Sequence, residues 1–403
     1  MTSNLSLAAG RDYLAIPGPS VMPEAVLRAM HRSAPNIYEG ELVEMTHGLI
    51  LDLTRVARTK HHTAIYVGNG HAAWEAALAN TIAPGDTVLI LATGRFGHGW
   101  GQMACGVGAE LEVVDFGSSS PVDLDRFAEA LRADDAHRIK AVLAVHVDTS
   151  TSIRNDISAL RATMDAVSHP ALLMADCIAS LGCDRFEMDA WGVDVMVTGC
   201  QKGLMVPPGV SFVFFNDRAA AARQALDRVS AYWDWAPRVD PEEFYLYFNG
   251  TAPTHHLYGL RAALDILHSE GIEQVWARHE RLAQAIWAAC ESWGVGGPLT
   301  LNVADPQHRS RAVTCIAIGD PFGATLRDWT EHQIGLTLGL GLGMAAPGEP
   351  GGQGVFRLGH MGHVNGHMIM GLLGGLQAGL VALDIPFGDG ALDTAARLIA
   401  GKS

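Results

Sequence analysis

Seven short runs of mostly apolar residues recur through the first half of the chain, and no other feature restricts its fold as much. They lie at 63–67, 87–92, 111–116, 139–147, 171–176, 193–198 and 210–215. Helix-like segments such as 71–82, 124–133 and 157–167 separate most of them. Strands that are nearly continuous in Val, Ile and Leu belong to a sheet covered on both faces, and regular strand–helix alternation makes that sheet mostly parallel. The pattern predicts an α/β fold around a mostly parallel, seven-stranded sheet. Ligands of such sheets bind beyond the carboxyl ends of the strands.

After Thr254 the pattern changes. A long helical stretch, broken near Gly271, runs to about Gly294, followed by strand-like runs at 312–318 and 355–358, a Gly-rich connection at 335–354, and further helices. At 403 residues the chain exceeds a single core, so two domains are expected. The predicted division is an N-terminal arm at 1–20, a large domain at 21–265 and a smaller α+β domain at 266–403.

Charge and cysteine usage narrow the partners. With 28 basic and 43 acidic residues the chain carries a net charge of −15, which argues against a nucleic-acid or anionic-membrane surface. The apolar stretch 368–383 is short for a membrane span. Its glycines at 371, 375 and 379 instead suit a helix packed closely on a neighbour. The six cysteines show no CxxC pair, as expected of reduced thiols in a cytoplasmic protein. Arg11 and Asp12 precede any long apolar stretch, so no secretory signal is expected.

Two residues carry the chemistry. Asp176 closes the run Ala-Leu-Leu-Met-Ala-Asp, and Lys202 follows the next run through Gly199-Cys200-Gln201. A carboxylate at one strand end and an amine just past the next suit pyridoxal 5'-phosphate, which needs a lysine partner for its aldehyde and an acid beside its pyridinium nitrogen. Gly68-Asn69-Gly70-His71 leaves a strand and opens a helix, where free N–H groups attract a phosphate. Arg357, ending or nearly ending a late strand, has the planar guanidinium that grips a carboxylate. His360, His363 and His367 have metal-like spacing but no acidic or cysteine companion, so no metal is expected.

These motifs resemble the class V, fold-type I aminotransferases of the alanine–glyoxylate and serine–glyoxylate group. The likeness runs from Pro17-Gly18-Pro19-Ser20 to Arg357-Leu358-Gly359-His360-Met361-Gly362, and is most specific at 175–182 and 198–203. It implies the pyridoxal-phosphate-dependent transferase fold, with Asp176 and Lys202 catalytic. It also implies cofactor contacts from Asn69, Gly70, His71 and Gln201 at the phosphate, Phe96 stacked on the ring, and Thr149 at the phenolic oxygen. Arg357 and Ser20 would meet the substrate. In the segment Asn249-Gly250-Thr251-Ala252-Pro253, Thr251 would complete a neighbouring subunit's phosphate site, which makes the protein a homodimer with shared active sites. Phe248 stands where relatives often have Tyr.

The implied reaction is ping-pong transamination from a small amino acid, serine or alanine, to a small oxo acid, glyoxylate or pyruvate. Related alternatives are ureidoglycine–glyoxylate and pyridoxamine–pyruvate transamination. A cysteine desulfurase or other lyase on the same fold is more remote, because the 335–354 connection holds no cysteine.

Overall fold

In the computed structural model, which describes residues 6–345 and 352–402, the main strands are β1 (Tyr13–Ala15), β2 (His62–Gly68), β3 (Thr87–Ala92), β4 (Glu110–Asp115), β5 (Ile139–Val145), β6 (Leu172–Asp176), β7 (Val195–Gly199), β8 (Gly209–Phe215), β9 (Thr300–Leu301), β10 (Val313–Ala317), β11 (Leu336–Leu340) and β12 (Val355–Gly359). The helices that bear on function are α1 (Gly70–Ala79), α2 (Arg95–Gly106), α3 (Thr254–Glu270), α4 (Ile272–Gly294) and α5 (Gly366–Ala382).

Strands β2 to β8 form one sheet in the order β2-β8-β7-β6-β5-β3-β4. Only β8 runs against its neighbours. Every residue of β3, β6 and β7 is buried, so both faces of these strands carry apolar side chains and the runs show no alternation. Leu89, Leu91, Leu173 and Met196 pack with Leu257, Leu260 and Leu264 of α3 on one face. Val88, Ile90, Met174 and Val197 pack with Trp74, Ala77 and Trp100 on the other. Each such side chain contributes about 1.5–3 kcal/mol when fully buried.

The run at 139–147 is shorter as a strand than its sequence implies. It ends at Val145; the His146 N–H then donates to the Asp176 carbonyl at 2.9 Å, and Val147–Asp148 pairs with Ile153–Arg154 instead. This turn carries Asp148 and Thr149 over the sheet edge.

A second sheet has the order β1-β11-β12-β10-β9. Its core joins Phe356 and Leu338 to Trp293, Leu372 and Leu376. The Gly-rich connection at 335–354 therefore contains a strand: Leu336 and Leu338 are buried on alternate positions of β11, a two-residue period interrupted in sequence by Gly335, Gly339 and Gly341. Residues 346–351 of that connection lie outside the described ones. Tyr13–Ala15 pairs in parallel with β11, so part of the predicted arm is an edge strand. Gly271, at φ +85°, breaks α3 from α4. In α5, a Cβ on Gly379 would lie 2.5 Å from Leu326 Cδ1 and one on Gly375 would lie 2.9 Å from Ile334 Cδ1, whereas Gly371 faces open space. Among the described residues no helix is long and apolar enough to cross a membrane.

Candidate active site

Because β2, β3, β5, β6 and β7 run the same way, the segments leaving their carboxyl ends gather at one edge. There Asn69, Gly70, His71, Phe96, Thr149, Asp176, Gln201 and Lys202 line one cavity of about 210 Å³, together with Trp74, Ile178 and two smaller side chains. Wider surface crevices elsewhere, such as that beside Glu270 and Arg278, gather no comparable set of groups.

Asp176 is buried at the end of β6. Its Oδ1 accepts from the Ile178 N–H at 2.7 Å, and its Oδ2 accepts from Trp74 Nε1–H at 3.0 Å. Burial nevertheless pushes the carboxyl up to about 7, against those two donors. In sequence Trp74 reads only as a helix residue. Its indole, buried and stacked on Trp100 with centroids 5.9 Å apart, fixes the rotation of the carboxylate.

Lys202 sits in the turn after β7. Its amine donates to the Pro17 carbonyl, and the Ser20 hydroxyl donates to the Lys202 carbonyl at 2.7 Å. Burial, aided by the positive charge of Arg357, brings the amine down to about 8, with Asp176 pulling the other way. Ser20, expected at the substrate, thus has its hydroxyl committed to the lysine turn. Gly18 permits this approach: a Cβ there would lie 2.5 Å from Lys202 Nζ. Arg357 is buried on β12, with Nε donating to the Leu340 carbonyl at 2.5 Å and Nη1 to the Thr149 carbonyl at 2.6 Å. These bonds hold the guanidinium against the backbone of Thr149, a lining residue; Arg357 and Ser20 do not themselves line the cavity.

The helix start at α1 is built for close approach. Asn69 caps it, accepting the His71 N–H at 3.0 Å. A Cβ on Gly70 would collide with Ile178 Cδ1. His71 is held below its usual pKa by desolvation and by the charge of Arg95. Phe96 is fixed from behind: its N–H and that of Gly97 donate to buried Asp148 Oδ2 at 2.9 and 3.2 Å. Gly94, the residue before α2, has no side chain to cap the helix, so Asp148 does it from another strand end. No local signal in sequence announces that contact.

The family model for aminotransferase class V matches residues 13–328. The chain belongs to the class V aminotransferases. A serine–glyoxylate aminotransferase of Arabidopsis thaliana is 35% identical over 372 residues, covering 91% of this chain and 90% of that protein. An L-aspartate–glyoxylate aminotransferase of Paracoccus denitrificans is 33% identical over 377 residues, covering 92% of this chain and 91% of that protein. The crystal structure of the ureidoglycine–glyoxylate aminotransferase of Bacillus subtilis superposes with a TM-score of 0.87 at 26% identity, covering 98% of this chain and 99% of that one.

Class V aminotransferases work with pyridoxal phosphate, and the residues present fit it. A buried carboxyl held at about 7 has too little positive charge around it, a deficit that a pyridinium fills. A buried amine, an aromatic wall and a capped helix start share the cavity. The Gln201 side chain contributes a buried oxygen, Oε1, with no partner among the described residues.

Thr251 is exposed and is not part of this cavity within one chain. Phe248 has no hydroxyl and is buried against Phe244 and Tyr247 of its own chain. Among the described residues no three His, Cys, Asp or Glu side chains converge as metal ligands; His360 is instead bonded to Thr314 at 2.9 Å. Burial raises the Cys200 thiol to about 11 and those of Cys183, Cys290 and Cys315 to about 12, which leaves them poor nucleophiles.

Proposed function

We propose that this class V aminotransferase moves the amino group of a small amino acid, serine or alanine, to glyoxylate, by a ping-pong route. The observation that carries the reading is the meeting of a buried amine and a buried carboxylate, from neighbouring strand ends, in one cavity beside a helix start. Pyridoxal phosphate, when bound, supplies the aldehyde that takes up the amino group and a ring that withdraws electrons.

Lys202 would hold the cofactor's aldehyde and is the base placed to move a proton at the donor's Cα. An amine near 8 can both accept and return a proton close to neutral pH. Asp176, oriented by Trp74 and Ile178, would keep the ring nitrogen protonated. Phe96 would wall the ring, Thr149 would offer a hydroxyl to it, and Asn69, Gly70, His71 and Gln201, all lining the same cavity, would hold the phosphate. Arg357 grips the substrate carboxylate, since its remaining Nη2 has no partner among the described residues. Ser20 acts on the substrate end indirectly, by holding the Lys202 turn.

Two copies form the working unit, with Thr251 of each reaching the other's phosphate; the exposure of Thr251 supports this. We place the enzyme in the cytoplasm, in keeping with its unpaired cysteines. The division into an arm at 1–20, a large domain at 21–265 and a small one at 266–403 is proposed on the two sheets and their separate cores. Five of the six thiols are buried, and the exposed one, Cys105, lies outside the cavity, which argues against desulfurase chemistry.

A panel of donors against glyoxylate and pyruvate, read by oxo-acid release, tests the substrates and separates ureidoglycine and pyridoxamine as donors. Borohydride treatment followed by peptide mapping should find the B6 mass on Lys202. Lys202→Ala should lose turnover by several orders of magnitude; turnover at the wild-type rate would end the proposal.

A further inference from the structure

The turn from Asp148 to Ser152 is gripped from both sides. Toward α2, Asp148 Oδ2 accepts from the Phe96 and Gly97 N–H groups at 2.9 and 3.2 Å, and Ser150 Oγ accepts from the Arg95 N–H at 3.0 Å. Toward the second sheet, the Thr149 carbonyl accepts from Arg357 Nη1 at 2.6 Å and the Thr151 carbonyl from Asn302 Nδ2 at 2.9 Å. The Ser152 carbonyl accepts from the Ser310 N–H and its hydroxyl from the Cys315 N–H, both at 3.1 Å. Residues 148 and 150 thus hold α2, while 149, 151 and 152 are held by the second sheet and its connections. Ser152 has φ +62°, a conformation that a residue other than glycine keeps only where its surroundings enforce it.

The buried Asp148 carboxyl is where the two grips meet. Gly94 leaves room for it: a Cβ there would lie 2.6 Å from Asp148 Cγ. Each oxygen takes two donors, Oδ2 those of α2 and Oδ1 the Ser150 N–H at 2.9 Å and the Ser150 hydroxyl at 2.5 Å. Three of these four are backbone N–H groups, which only an acceptor can satisfy. A carboxylate offers two acceptor oxygens, an amide one. Burial works against the charge on Asp148, and the same four donors work for it. Phe96 and Thr149, the residues joined through this carboxyl, both line the cavity, whereas Asp148 itself does not.

Resting on the reading of this cavity as a pyridoxal phosphate site, we propose that Asp148 is a positioning residue: the joint through which the second sheet sets Phe96 and Thr149 around the cofactor ring. It touches neither cofactor nor substrate. Its two oxygens fasten the start of α2 to the turn, so the aromatic wall and the hydroxyl keep one spacing and follow the second sheet together. With an amide in its place, an NH2 group faces either the α2 N–H groups or that of Ser150, and one side lets go.

The test follows two quantities: the Kd of pyridoxal 5'-phosphate titrated into cofactor-free protein, and amide hydrogen exchange of the 93–100 segment in that same cofactor-free protein. Asp148→Asn should raise the Kd and speed the exchange, each about tenfold or more. In a chain already carrying Phe96→Leu and Thr149→Val, Asp148→Asn should change the Kd less than about threefold, because the groups it positions are gone. Asn302→Ala, which frees the Thr151 carbonyl, should also speed exchange at 93–100, and should add nothing once Asp148→Asn is present. Ser150→Ala removes one donor and leaves the carboxylate; it should shift both quantities the same way by less, and it carries the test if Asp148→Asn does not fold. A Kd unchanged in Asp148→Asn, an equal rise in both backgrounds, or exchange untouched by Asn302→Ala overturns the proposal. Wild type that fails to bind pyridoxal phosphate overturns it together with the cofactor reading. Wild type that binds it but transaminates no donor ends the donor assignment alone, and Asp148 then stands or falls on the two quantities.

Discussion

Burial holds the Asp176 carboxyl at about 7 although Ile178 and Trp74 both donate to it. Between about pH 4 and 7 the folded chain therefore keeps a proton that the unfolded chain has released. Folded protein binds more protons across that window, so stability falls as pH rises through it and stays low above it. Asp176→Asn should thus make the cofactor-free protein more stable than wild type at pH 8, with the advantage shrinking toward pH 5, as read by urea midpoints at each pH. The same variant should lose activity with cofactor present. An advantage that does not change with pH would refute this account of the carboxyl. Trp74→Phe tests the positioning bond separately, because it keeps an aromatic ring against Trp100 and removes only the N–H donor. A hydrogen bond to a charged group is worth about 1.5–3 kcal/mol. Cofactor Kd, titrated into cofactor-free protein, should therefore rise about tenfold or more, and an unchanged Kd would leave the Ile178 N–H as the sole effective donor.

At the scale of elements, glycine shows how the same residue type serves opposite ends. On α5, Gly379 has no room for a methyl group, whereas Gly371 has nothing within 4 Å of where one would go. Gly379→Ala should destabilise by about 1–3 kcal/mol through overpacking. Gly371→Ala should stabilise by about 0.5–1 kcal/mol, since alanine loses less backbone entropy in a helix. Denaturant unfolding of both variants checks the pair. The four-residue spacing in sequence identifies a packed helix, but it cannot tell which glycines face the neighbour. The element most poorly legible is β11, whose two buried leucines are set among glycines that read as loop. The α2 start is equally obscure, because its cap, Asp148, comes from a turn some fifty residues away in the chain.

For the whole molecule, the N-terminal stretch links the two sheets: Tyr13–Ala15 extends the second one, and Pro17 to Ser20 contact the Lys202 turn of the first. A movement of the smaller sheet would therefore be felt at the lysine. Within one chain Thr251 is exposed outside the cavity and Phe248 carries no hydroxyl, so the proposed shared phosphate site depends on a second copy. The protein should sediment as a dimer of 42.9 kDa chains. A mixed dimer of Lys202→Ala with Thr251→Ala chains should be more active than either parent, because one of its two sites is intact. A fully active monomer would contradict the shared site.

Local composition and order were enough to determine the strand runs, the mostly parallel sheet, and the placing of Asp176, Lys202 and the 69–71 turn beyond strand ends. Each of those depends on which residues are apolar and on their immediate neighbours along the chain. Only the tertiary structure decided that Trp74 orients Asp176, that Ser20 serves the lysine turn, that Asp148 holds Phe96, and that Arg357 meets the Thr149 carbonyl. Those contacts join segments tens to hundreds of residues apart, and their geometry is set by how the elements pack, which no local pattern records.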